Sequence, residues 1–212
     1  MGETRGNGRL VRYSVSKDFQ SVPRVRYFVG DFMPKKVFKS DMSVKGIDSL
    51  IRELQKYKDD LHNKCKEFVE RLANEGIKVG KQNVGGFGKY ITFSMQTNPY
   101  KDGCKVIMLA SENGKIISSW KTKDGIKTAE VSPLLMAEFG SGRGAENPMK
   151  IEGVGQGTFP NQTHAFDKEG WYWIDLEGNL NHSYGVTAKM PMYKASIEMR
   201  NKIIGIARDV FK

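Results

Sequence analysis

Few side chains in this sequence could move a proton or hold a metal ion near neutral pH. The histidines are His62, His164 and His182, and the cysteines are Cys65 and Cys104. A hydrolytic centre would pair a histidine with a carboxylate and a nucleophile, and His182 shares one stretch with Asp175 and Glu177. No strained turn of the GxSxG kind marks a nucleophile beside them, which disfavours catalysis by this set. A zinc site needs ligands at helical or hairpin spacing, and HxxxH, HExxH and CxxC are all missing. The two cysteines lie far apart inside apolar patterns, where they read as small buried hydrophobes in a reducing compartment. The expectation is a chain with no catalytic residue, no metal and no cofactor.

Phosphate chemistry is the other prospect, because "AEFGSGRG" at 137–144 is Gly-rich and follows an apolar segment. A phosphate cradle needs a strand, the loop GxxxxGK[ST] and then a helix. Here the order is reversed. Ser132 is a good helix N-cap, Pro133 suits the first helical position, and Gly140 falls where a left-handed residue ends a helix. The glycines close a short helix, and "GVGQG" at 153–157 is a weaker match still.

The elements around these residues follow from periodicity. Apolar residues recur at steps of three and four from Ile47 to Ala73, predicting an amphipathic helix capped by Asp48 and ended by Gly76. "KYITFSMQ", "CKVIMLAS" and "KIISSW", separated by "NPYKDG" and "ENG", predict three antiparallel strands in series. "WYWIDL", the turn "EGN" and "LNHSY" predict a second hairpin, with Trp171 and Trp173 on one face and Tyr172 and Ile174 on the other. Between Gly140 and Gly170 lies a long Gly-rich loop, of a length that is commonly functional. Pro191 opens a last helix whose apolar face is Met192, Ser196, Met199, Ile203, Ile206 and Val210. The fold class expected is α+β, with an antiparallel sheet of hairpins packed against a long N-terminal helix and a C-terminal helix.

Residues 1–41 differ from the rest, with "LVRYSV" and "RVRYFVG" broken by Pro23, Gly30 and Pro34. They read as a strand pair or a loosely ordered arm. Because Met42 opens a stretch resembling a natural start, they also read as an artefact of start-site choice. The hydrophobic fraction of 39% and charged fraction of 27% are those of a soluble globular protein, and no apolar run could span a bilayer. The net charge of +10 points to acidic partners such as nucleic acid, but it is diffuse. The aromatic stretch "WYWIDLEGN" is acidic where base stacking wants Lys and Arg, and no helix-turn-helix, RRM or KH signature is present.

"VKGIDSLIREL" at 44–54, "MAEFGSG" at 136–142 and "MPMYKA" at 190–195 occur in an order that resembles the tail-component family of long-tailed bacteriophages, the tail-completion or neck proteins of head-tail joining. The resemblance covers residues 42–212, and its motif positions are Glu138, Phe139, Gly140, Gly142, Pro191 and Met192. It implies a structural virion protein without enzymatic activity, present in the host cytoplasm during assembly. Such subunits form a homo-oligomeric ring at the head-proximal end of the tail and dock to the head connector or tail-tube proteins. Contact with passing DNA would then be non-specific, and no membrane is involved. On this reading the loop at 143–170, with Arg143, and the hairpin residues Trp171, Tyr172 and Trp173 make subunit or partner contacts. The alternative is a basic nucleic-acid-binding protein without enzymatic activity.

Overall fold

The computed structural model describes residues 36–100, 103–150 and 167–212. Most of the N-terminal extension, and the part of the Gly-rich loop that carries "GVGQG" and His164, lie outside the described residues. The elements in chain order are α1 (Val44–Gln82), β1 (Ile91–Tyr100), β2 (Gly103–Glu112), β3 (Ile116–Thr122), β4 (Gly125–Val131), α2 (Pro133–Phe139), β5 (Trp171–Ile174), β6 (Leu180–Ser183) and α3 (Pro191–Val210). The class is α+β, with a long N-terminal helix, two sheets and a C-terminal helix. No helix among the described residues is long and apolar enough to cross a membrane.

The chain divides into two compact units, to both of which α1, β1, β2 and α3 contribute. Among the described residues the first holds 76–94, 109–150 and 167–197. Its core is built from Val84, Ile91, Phe93, Ala110, Ala129, Leu134, Ala137, Phe139, Ala188, Met192 and Ala195. The second includes residues 36–75, 95–100, 103–108 and 198–212. There Ala73, Met108 and Val210 are buried, and Phe68 of α1 meets Phe211 with ring centroids 5.8 Å apart. Cys65 and Cys104 belong to this unit as free, half-buried thiols. Burial pushes the Cys65 thiol up from its ordinary pKa, and neighbouring Cys104 adds to the effect.

α1 is longer at both ends than its periodicity predicts. It is capped by Ser43 instead of Asp48: the Ser43 hydroxyl accepts the Gly46 N–H at 3.0 Å, while Asp41 accepts the Ser43 N–H at 3.0 Å. It also passes through Gly76 and Gly80, both buried, and ends at Gln82. A glycine inside a helix costs about 1 kcal/mol against alanine, an amount that tertiary packing routinely overrides. Its 39 residues make a rod of roughly 58 Å.

The strand order also departs from three strands in series. β1 and β2 form a sheet of their own, and the other sheet runs β4-β3-β5-β6. β3 turns directly onto β4 in the register Ile116↔Val131 to Thr122↔Gly125. The turn contains Asp124-Gly125, with Gly125 at φ 114°, the backbone form a tight hairpin demands. β5 pairs with β6 from Trp171↔Ser183 to Ile174↔Leu180, and joins β3 at Lys121↔Ile174.

The short helix α2 forms as its caps predict. Pro133 occupies the first turn, and the Ser132 hydroxyl accepts the Leu135 N–H at 3.1 Å while also bonding the Glu112 carboxylate. Replacing Ser132 by Ala is expected to lower unfolding stability by about 1 kcal/mol, the usual worth of an N-cap. A urea titration showing no shift would mean that this hydroxyl does not hold the helix start.

Candidate functional site

The six motif positions that the sequence singles out come together in one buried joint of the first unit. Helix α3 begins with a difficulty. Its N-cap position is Met190, whose side chain has no oxygen to offer the free N–H groups of the first turn. The protein satisfies each of them from α2. Met190 donates its N–H to the Ala137 carbonyl at 3.0 Å, Pro191 has none to donate, and Met192 and Tyr193 donate theirs to the two oxygens of Glu138 at 2.8 and 2.9 Å. Lys194 then makes the first intrahelical bond, to the Met190 carbonyl at 3.0 Å.

Glu138 is only 4% exposed. Burial pushes its carboxyl above the ordinary carboxylate value, opposed by the Met192 and Tyr193 N–H bonds and by the Lys194 charge. The positive end of the α3 dipole is a favourable place for a carboxylate. Glu138 is thus a cap supplied by another element, and its chemistry is fully taken up by that task.

Beyond Glu138 the chain must leave α2 and run beside the segment that leads into α3. Ser141 and Val186 exchange N–H···O bonds of 2.7 and 3.1 Å, and Arg143 donates to the Tyr184 carbonyl at 2.9 Å. This short antiparallel ladder has no room for a side chain at several of its glycines, of which two lie on the segment leaving α2. Gly140 has φ 65°, and a Cβ there would sit 2.4 Å from the Val186 carbonyl oxygen. Gly142 has φ 59°, and its Cβ would sit 2.5 Å from the Tyr184 carbonyl oxygen. Phe139 and Met192 are buried in the unit's core and Pro191 is fully enclosed, so every motif residue serves this joint.

The predicted contact residues divide between two faces of the four-stranded sheet. Trp171 and Trp173 are half-buried on one face, while Tyr172, 69% exposed, points the other way. Tyr172 stacks on His182 with centroids 4.2 Å apart, and His182 meets the edge of Tyr184 at 4.3 Å. The Arg143 guanidinium lies over the Tyr184 ring at 4.7 Å. A continuous strip, Tyr172–His182–Tyr184–Arg143, results. Beside it the exposed pair Ile174 and Leu180 adds aliphatic surface. Sequence reading missed Tyr184, although its spacing of two from His182 and four from Leu180 is the signal that puts all three on one face.

His182 is held in this arrangement by ring packing and one carbonyl contact. His182 Nε2 lies 3.1 Å from the Glu169 carbonyl, and its ring is packed by two tyrosines. It makes no hydrogen bond or ion pair with Asp175 or Glu177. Asp175 instead binds its own turn, accepting from the Asn179 N–H at 2.7 Å and from Asn181 at 3.1 Å, bonds that lower its pKa. Among the described residues no group of three or more His, Cys, Asp or Glu is placed to hold a metal ion. No family model matches the chain, and no curated protein or solved structure matches it either.

Replacing Gly140 by Ala is expected to cost more than about 2 kcal/mol, because strain at positive φ adds to a backbone clash. The same change at Gly178, where φ is 98° and a Cβ would meet open space, should cost only the strain. Equal urea midpoints for the two variants would contradict this account. Glu138→Ala, which leaves two buried N–H groups unpaired, should cost about 2–4 kcal/mol. A raised folded pKa means that the Glu138 proton stabilises the native state. That contribution is complete below the ordinary value of 4.5 and is lost as pH rises through the folded value. The stability margin of the natural protein over Glu138→Gln is therefore expected to shrink from about pH 4 to pH 7. A margin that grows over this range would show that the N–H bonds outweigh burial.

Proposed function

We propose that this chain is a non-enzymatic structural protein of a long-tailed phage or prophage virion, acting in tail completion or head-tail joining as a subunit of a ring. The observation that carries the reading is the buried joint. Glu138, Phe139, Gly140, Gly142, Pro191 and Met192, noted in the sequence because they resemble a neck-protein pattern, serve one structural task together.

The outward strip supplies the contact surface such a role needs. Tyrosine offers large rigid area at low entropic cost, and Arg143 brings a planar cation to its edge. The neighbour would be a second subunit, the head connector or a tail-tube protein. The net charge of +10 suits transient contact with passing DNA, which phosphate attraction supports without regard to sequence.

Electron microscopy of lysates, with and without the gene, tests the reading. Its loss is expected to leave DNA-filled heads beside separate or irregularly long tails. Normal infectious particles would overturn the reading, and salt-dependent binding of duplex DNA by the purified chain would then favour a nucleic-acid-binding role. The double variant Tyr172→Ala, Arg143→Ala should lose less than about 1.5 kcal/mol of stability, since both residues are exposed, yet reproduce the assembly defect.

A further inference from the structure

One apolar stripe runs the length of α1 through Ile47, Leu50, Leu54, Tyr57, Leu61, Cys65, Phe68 and Leu72. In its later turns the second unit covers it. Phe68 meets Phe211, Glu70 accepts the Thr97 hydroxyl at 3.0 Å, and Ala73 is buried. Lys64 marks where this cover stops, its ammonium donating to the Lys212 carbonyl at 3.2 Å. From there toward the helix start the stripe is partly open: Ile47 is 41% exposed and Leu54 45%, Leu50, Tyr57 and Leu61 are half-buried, and Ile51, beside the stripe, is 58% exposed. Phe38 packs edge-on against Tyr57, with centroids 5.5 Å apart, and so covers part of the stripe at that one position, leaving Ile47 and Leu54 exposed.

We infer that this stripe is a seam for a second copy of the chain, with the two α1 helices parallel and in register. Ile47, Leu54 and Leu61 fall at a positions of a heptad, and Leu50 and Tyr57 at d, so that five successive seam positions are apolar. Lys64, the next d position, ends the seam at the level where the chain's own cover begins. The flanking charges select orientation. In a parallel pair Glu53, at g, faces Lys58, at e, of the second copy, and the reverse pair forms across the seam. An antiparallel pair would set the g-position acids, Glu53 and Asp60, against one another. Ile51, at the other e position, widens the apolar contact.

The seam spans fifteen residues, roughly 22 Å, so association should depend on concentration. Sedimentation of the full chain over a concentration series is the test, with far-UV circular dichroism as the check that each variant stays folded. The natural chain is expected to self-associate, and Leu54→Glu, which buries like charges in the seam, should weaken association by about a hundredfold. Glu53→Lys or Lys58→Glu alone should weaken it by about tenfold, and the two together should restore it. A chain that stays monomeric overturns the inference, whether residues 1–35 or another protein then cover the stripe. So does self-association that Leu54→Glu leaves unchanged, or a double swap that fails to restore it. Loss of self-association in Leu54→Glu with normal particle assembly would support the seam while counting against its use in a ring.

Discussion

A carboxylate buried at the start of a helix is tolerable only if the energy lost with its water is returned by hydrogen bonds. Glu138 meets that condition in part, because its two oxygens receive the two N–H groups of α3 that no intrahelical carbonyl can reach, while burial still holds its pKa above the ordinary value. The benefit is mutual, since those N–H groups would otherwise be buried and unpaired. The pairing also fixes distances. α2 has to lie with Glu138 against the α3 terminus, and the Ser132 cap and Gly140 set where α2 begins and ends. The chain leaving α2 must then run within hydrogen-bonding distance of residues 184–188, which it can do only because Gly140 and Gly142 have no side chain in the way.

The aromatic strip depends on this joint. Residues 184–188 follow β6 directly, so the ladder that anchors them also sets how the β5–β6 hairpin leaves the core. Arg143 and Tyr184 are tied twice, by a backbone bond of 2.9 Å and by the guanidinium over the ring at 4.7 Å. A shift of the ladder by one residue would turn Arg143 away from the ring and break the strip at that end. Surface residues held by main-chain bonds in this way lose little entropy when a partner arrives, which favours a contact role.

What could be read from the sequence follows the range of the interactions involved. The ends of α2 depend on residues within a few positions of one another, and Ser132, Pro133 and Gly140 identified them, while Pro191 alone marked where α3 begins. The β5–β6 hairpin was legible because alternation and turn chemistry agree there. β4 was not, since six of its seven residues are at least partly exposed and hydrophobic pattern is silent for such a strand; only its Asp-Gly turn spoke for it. The end of α1 was misplaced because a local rule about glycine yielded to packing around buried Gly76 and Gly80. For the site, the motif residues could be named, but not their task. Glu138 finds its partners 54 and 55 positions away, and no local spacing encodes that contact.

Orientation is where the two surfaces bear on a single functional question. In the head-tail role proposed above, the assembly would have unlike ends, so its subunits would all point the same way along the axis. Antiparallel pairing of α1 would place a two-fold axis across the helices and cancel that polarity, whereas parallel pairing preserves it. The Glu53 and Lys58 charges favour the parallel form at little energetic cost, as flanking charges do when they select among arrangements that the apolar contact alone would leave nearly equal. The aliphatic stripe would then supply adhesion between like copies. The strip of Tyr172, His182, Tyr184 and Arg143, richer in polar tips, is the surface better suited to an unlike neighbour, because its hydroxyls and guanidinium can discriminate between partners in a way that Ile47, Ile51 and Leu54 cannot.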